Sequence, residues 1–300
     1  AHYDHLGLGW PDAKSGNKGQ IHNGADDNAS GVAVMLELAR NLGKSMEPAR
    51  SVVFAAFTAE EAGLLGARHY VKNMKRYPVA KVMGNLNIDT VGRLGDNKLL
   101  VLGSTSAREW KFIFMGASFV TGVETETPTQ DIDSSDQIAF IEAGIPAVQF
   151  FAGASPDYHK PSDTADKLDY SGLVKVASIV REGVEYLAER PEPLEFKGST
   201  GKPAESKPAG GGERGVATGL MPDFAYSGEG VSVGAVGDDT PAKNAGLQKG
   251  DVITAINGQK VADLRSYSNM LKTFSPGDAI DVTYTRDGVE QTISLTLKAR

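Results

Sequence analysis

The stretch PEPLEFKGSTGKPAESKPAGGGE, residues 191–213, cannot belong to a packed core. It is rich in Pro, Gly, Ser, Lys and Glu and has almost no apolar periodicity. It therefore buries too little apolar surface to offset the entropy of ordering it. It reads as a flexible linker, so the chain must fold as two units, 1–190 and 214–300. The length of 300 residues agrees, because single cores rarely grow that large.

Helical and strand patterns alternate before the linker. NASGVAVMLELARNLG places Val32, Met35, Leu36, Ala39 and Leu42 on one helical face, with Asn28 or Ser30 able to cap its start. SVVFAAFTA is a continuous apolar run, the pattern of a strand buried on both faces. AGLLGARHYVKNM, AREWKFIFMGASFV and SGLVKVASIVREGVEYLAER predict helices; KVMGNLNIDTVG, KLLVLGS and IPAVQFF predict strands. AHYDHLG reads as the end of a strand whose beginning precedes Ala1. The expected fold is α/β: a mixed, mostly parallel sheet with helices on both faces.

The texture changes after the linker. GVSVGAV, DVITAING, AIDVTYTRDG and VEQTISLTLK are short strands, and Asp287-Gly288 is a hairpin turn of the favoured kind. TPAKNAG and LRSYSNMLKTF carry the helical patterns of this small β-rich module.

Charge and composition remove several classes of function. The net charge of -7 argues against nucleic acid or an anionic membrane as a main partner. No apolar run is long enough to span a bilayer. There are 0 Cys, so a metal site would have to use His and carboxylates.

Those residue types gather in a pattern. His2 and Asp4 lie at the end of the first strand, and Asp26 and Asp27 in the loop before the first helix. Glu60 and Glu61 follow the run 51–58, Asp89 ends GNLNID, and His159 lies in SPDYHKPSDT. Each stands at or just past the carboxyl end of a predicted strand, the edge where open α/β sheets bind ligands. Imidazole with carboxylate suits zinc or a similar divalent ion. His5, His22 and His69 read as ordinary surface or core histidines.

The segments AHYDHLG, GADDNASG, TAEEAGLLGA, NIDTVG and DYHKPSDT, in this order, resemble the di-zinc aminopeptidases of clan MH, the aminopeptidase S and bacterial leucyl aminopeptidase group. The resemblance covers roughly residues 1–190 and implies the phosphorylase/hydrolase-like zinc exopeptidase fold. It also implies two zinc ions, one held by His2 and Asp89, the other by Glu61 and His159, with Asp27 bridging. Asp27 rather than Asp26 matches the family's ligand, because it stands three residues before Ser30-Gly31. Asp4 would accept a hydrogen bond from His2 and fix its tautomer. Glu60 would be the general base towards a zinc-bridging water, and Tyr158 could donate its hydroxyl to the developing oxyanion. The family also places a cis bond after the bridging Asp, here between Asp27 and Asn28. The implied activity is removal of N-terminal residues from peptides with a free N-terminus, by a protein exported to the periplasm or secreted.

One departure concerns specificity: many relatives read Ser-Asp-His where this chain has SSDQIAF, so Gln137 replaces a His near the substrate pocket. The second module resembles a bacterial PDZ domain of the protease-associated, circularly permuted kind. TPAKNAGLQKGDVITAINGQKV matches the PDZ core, and TGLMPDF the carboxylate-binding loop. By that resemblance Gly219, Leu220 and Met221 would hold a C-terminal peptide by strand addition. Two rival readings share the scaffold: a carboxypeptidase or dipeptidase, and a receptor-like domain without metals. A glutaminyl cyclase would use a single zinc with fewer acidic ligands, which the full ligand set disfavours.

Overall fold

The computed structural model describes residues 1–9, 16–129, 135–198, 215–226 and 228–299. Contacts divide the chain into two units, Ala1–Lys202 and Pro203–Arg300.

In the first unit, α1 (Gly31–Ser45) follows Ser30 at its N-cap position, and Asn28 Oδ1, two residues further back, accepts the Gly31 N–H at 3.0 Å. The helix buries Val34, Met35, Leu38 and Leu42. Its inward face is thus rotated from the expected stripe, and Leu36 is 61% exposed. There follow α2 (Leu65–Lys72), β1 (Asn85–Ile88), β2 (Leu99–Leu102), α3 (Glu109–Thr121), β3 (Thr125–Glu126), α4 (Gln137–Glu142), β4 (Ala147–Phe151) and α5 (Tyr170–Glu189). The sheet order is β1-β4-β2-β3. β1 and β4 are parallel, as are β2 and β3, while β2 runs antiparallel to β4. β4 is buried along its whole length, as an apolar strand covered on both faces must be. Val148 and Phe150 face the core under α1, α3 and α5; Ala147 packs with α2 and α4 through Val71 and Phe140.

SVVFAAFTA differs from its expectation. Residues 51–56 form no ladder, and Val53 is 47% exposed. Only Phe57 pairs, in a parallel bridge with His2. Between this segment and β1 lies a cavity of about 660 Å³, lined by Val52, Phe54, Leu86 and Ile88 among others, so β1 does not reach it as a ladder partner. The segment has the residues of a buried strand, but its backbone is paired only at its end, where Ala55 and Phe57 meet Ala1 and Tyr3.

The linker reading also needs correction at its start. Leu194 is buried in the first core, Phe196 bridges Ala107, and the Lys197 N–H donates to the Ser106 carbonyl at 2.9 Å. The Leu and Phe of LEFK supply the apolar contacts that the rest of the stretch lacks. Residues 199–213 of the expected linker lie outside the described residues.

The second unit contains β5 (Val216–Ala217), β6 (Leu220–Pro222), β7 (Val231–Val236), α6 (Pro241–Asn244), β8 (Val252–Ile256), β9 (Gln259–Lys260), α7 (Leu264–Leu271), β10 (Ala279–Arg286), β11 (Val289–Thr296) and β12 (Lys298–Ala299). The main sheet runs β11-β10-β8-β7-β6. Arg286 pairs with Val289, so Asp287 and Gly288 make a two-residue hairpin, with φ of 51° and 78°.

Candidate metal centre

The loop Ala25–Ser30 delivers Asp27 to the carboxyl edge of the sheet, and the Asp27–Asn28 bond is cis, as expected. Asn28 Nδ2 donates to the Ile88 carbonyl at 3.0 Å, tying this loop to the end of β1, where Asp89 follows. Glu60 and Glu61 sit in a tight turn in which Glu60 C=O accepts the N–H groups of Gly63 and Leu64. Ala59, Leu64, Thr90 and His159 have φ of 55°, 61°, 53° and 57°. Left-handed residues other than glycine are sparse, and their clustering here marks a rim held by its surroundings.

All five expected ligands converge. His2 Nε2 is 3.2 Å from Asp27 Oδ1 and 3.4 Å from Asp89 Oδ1. His159 Nε2 is 3.1 Å from Asp27 Oδ2 and 3.3 Å from Glu61 Oε2. Glu60 Oε2 is 4.0 Å from His2 Nε2. His2, Asp27, Asp89 and His159 are all buried.

This cluster fits a cation. His2 Nε2 is buried and has no hydrogen-bond partner, although two carboxylates flank it. Ligands about 2.0–2.1 Å from a tetrahedral ion lie about 3.3–3.4 Å apart, close to these spacings. His2, Asp27 and Asp89 form one group that could hold a metal ion, and His5, Asp27 and Glu61 form another.

The electrostatics agree. Burial would lower the His2 pKa, but the Asp89 charge and the Asp27 contact outweigh it and raise it. Burial would raise that of Asp27, yet His159 and His2 hold it well below the usual carboxylate range. Glu60 is pushed up to about 10 by burial and the charges of Asp89, Glu61 and Asp27, against the pull of His2. Carboxylates so crowded need positive charge, and a divalent ion would supply it.

Asp4 acts differently from its expectation. His2 Nδ1 pairs with the Asp4 backbone carbonyl at 3.1 Å; the Asp4 carboxylate, 3.6 Å away, is too distant to accept that bond. The carboxylate instead accepts the Glu60 N–H at 3.2 Å and so anchors the main chain of the glutamate turn. Tyr158 stacks its ring on His159, with centroids 3.9 Å apart. Gln137 is buried, accepts from Asn87 Nδ2 at 3.2 Å and donates to Gln149 at 3.0 Å, bracing the sheet against α4. Gly219 has φ 81° and precedes β6, which holds Leu220 and Met221.

Several contributors were missed from the sequence. Asp163 Oδ2 accepts the N–H groups of Asp26 and Asp27 at 2.9 and 3.2 Å, and Arg93 holds its other oxygen at 3.0 Å. The only hint was its place four residues after His159. Asp26 Oδ1 accepts the Gly92 N–H at 2.7 Å. His5, read as ordinary, stands 2.7 Å from Glu61.

A mixed α/β sheet whose edge gathers buried imidazoles among carboxylates is the arrangement of a protein that could hold metal ions there. Residues 1–184 match the model of Peptidase family M28, and the chain belongs to that family. Residues 203–297 match the PDZ domain model. The chain is similar to Aminopeptidase YwaD of Bacillus subtilis, 34% identical over an alignment of 171 residues that covers 54% of this chain and 37% of the relative. It is also similar to Leupeptin-inactivating enzyme 1 of Streptomyces exfoliatus, 34% identical over 48% of this chain and 32% of the relative. Among solved structures, an aminopeptidase from Aneurinibacillus sp. strain AM-1 superposes with a TM-score of 0.52 at 32% identity, covering 60% of this chain and 43% of that one. A zinc aminopeptidase from Bacillus subtilis gives a TM-score of 0.52 at 31% identity, covering 59% and 46%. The match thus spans less than half the length of each of these relatives.

Proposed function

We propose that the first unit is an aminopeptidase that holds two zinc ions and hydrolyses the N-terminal bond of peptides. Asp27 carries this reading: Oδ1 faces His2, and Oδ2 faces His159. One carboxylate therefore serves two clusters, His2 with Asp89 and His159 with Glu61. Bound zinc supplies Lewis acidity at the scissile carbonyl and lowers the pKa of the attacking water. Glu60 takes the water's proton and passes it to the leaving amine. Its reach is set by the Asp4 carboxylate, which fixes the Glu60 backbone. Tyr158, packed on His159, donates its hydroxyl towards the developing oxyanion.

The test is a panel of aminoacyl-nitroanilides and N-blocked peptides, with and without chelator. We expect cleavage of free N-termini only, abolished by chelator and restored by zinc. Cleavage of N-blocked peptides from their C-termini would make the protein a carboxypeptidase. A protein that binds no zinc and cleaves nothing would sink the enzyme reading in favour of a receptor-like domain without metals.

For the second unit we propose capture of a peptide C-terminus at Gly219, Leu220 and Met221. β6 ends the sheet among the described residues, so a strand can be added beside it. A Cβ at Gly219 would lie 2.1 Å from the Thr240 side chain, so that turn admits glycine alone. Amidating the C-terminus of a bound peptide should abolish its binding; unchanged affinity would rule this mode out.

A further inference from the structure

We propose that His5 is a positioning residue that fixes Glu61 for the second cation; the proposal rests on the two-zinc reading above. Glu61 uses its two oxygens separately. Oε2 faces His159 Nε2 at 3.3 Å, and Oε1 faces His5 Nδ1 at 2.7 Å. The His5 contact is off-line for a full hydrogen bond, and neither atom has another hydrogen-bond partner. A small rotation of the ring makes Nδ1–H a donor to Oε1 and leaves Oε2 directed at the cation.

Spacing distinguishes this role from ligation. His159 Nε2 lies 3.1 and 3.3 Å from the Asp27 and Glu61 oxygens, near the separation of about 3.3 Å that two ligands of one tetrahedral ion show. His5, Asp27 and Glu61 also lie close enough to hold an ion, but His5 Nδ1 is 2.7 Å from Glu61 and 4.0 Å from Asp27, a less even pair than that of His159, which takes the ligand's place. The imidazole is also held in place. A Cβ at Gly24 would stand 2.6 Å from His5 Cγ, so the backbone there presses directly on the ring. The His159 ring meets it edge-on with centroids 5.7 Å apart, and His22 lies 6.5 Å away on the same measure. Carboxylate ligands are themselves oriented by outer hydrogen bonds, and losing such a partner costs about 10–100-fold in metal affinity.

The experiment is calorimetric titration of zinc into metal-stripped wild type, His5→Ala and His5→Asn. Wild type should bind two equivalents. His5→Ala should keep one site unchanged and weaken the other by about 10–100-fold. His5→Asn places an amide N–H near Nδ1 but offers no imidazole nitrogen to a metal, so it should restore most of the loss. Unchanged affinity in His5→Ala overturns the proposal, and so does equal loss in both variants, which would make His5 a ligand. Should His5→Ala fail to fold, His5→Asn decides alone: near wild-type affinity supports positioning, and a lost site overturns it. A wild type that binds fewer than two zinc ions defeats the two-zinc reading itself, whatever the variants do.

Discussion

Asp27→Asn should leave a folded protein that holds neither cation and shows no measurable hydrolysis. The amide has the shape of the carboxylate, and the contacts that place the loop are made by the backbone: the Asp26 and Asp27 N–H groups on Asp163 are untouched. What is lost is the charge. His159 and His2 hold Asp27 ionised despite its burial, so the native site always presents an anion there. Each oxygen serves a different imidazole, at 3.2 and 3.1 Å. A neutral amide would give one cation a weak oxygen and the other a nitrogen that cannot ligate. Affinity at both sites should fall by well over about 10²-fold, more than an outer partner is worth. Metal analysis after dialysis, with circular dichroism as the fold control, reads the outcome. Retention of both zinc ions would show that Asp27 is not shared, and the two clusters would have to be treated as separate sites.

The candidate ligands were legible because each stands beside a turn or strand end that the sequence marks. Gly-Ala before Asp27, the apolar run before Glu60 and the strand before Asp89 all announce an edge, and the fold brings those edges together. His5 was not legible for a related reason. Strand alternation sets it on the opposite face from His2 and Asp4, but across residues 1–6 the chain pairs as a strand only at His2, which bridges Phe57. Beyond that rung alternation no longer applies, and Gly7, with φ 57°, turns the chain. Asp163 was hidden because its work is on backbone N–H groups 136 and 137 residues away, a pairing that leaves no local pattern. SVVFAAFTA shows the opposite error. Apolar content predicted a buried strand, but a strand also needs a neighbour for its amides, and composition does not say which neighbour is there.

The adjacent glutamates should separate cleanly. Glu61→Gln removes an anionic ligand, so the cation it shares with His159 should be held poorly, and excess zinc should restore part of the activity. Glu60→Gln should keep both cations. Without metal, burial and the charges of Asp89, Glu61 and Asp27 push the Glu60 carboxyl up to about 10, so at neutral pH the group is protonated and an amide copies it closely. Thermal stability of the metal-free protein should therefore barely change. With cations bound, their positive charge lets Glu60 ionise and act as a base, a role the amide cannot fill. Hydrolysis should fall by about 10²–10⁴-fold, the usual worth of a general base, with zinc content unchanged and no rescue by added metal. The Asp4 carboxylate holds the Glu60 main chain through its N–H, so the side-chain exchange leaves the turn in place and the loss can be assigned to the proton transfer. If Glu60→Gln loses metal while Glu61→Gln keeps it, the two roles are exchanged. If Glu60→Gln keeps full activity, another group takes the water's proton and the assignment of Glu60 as the base fails.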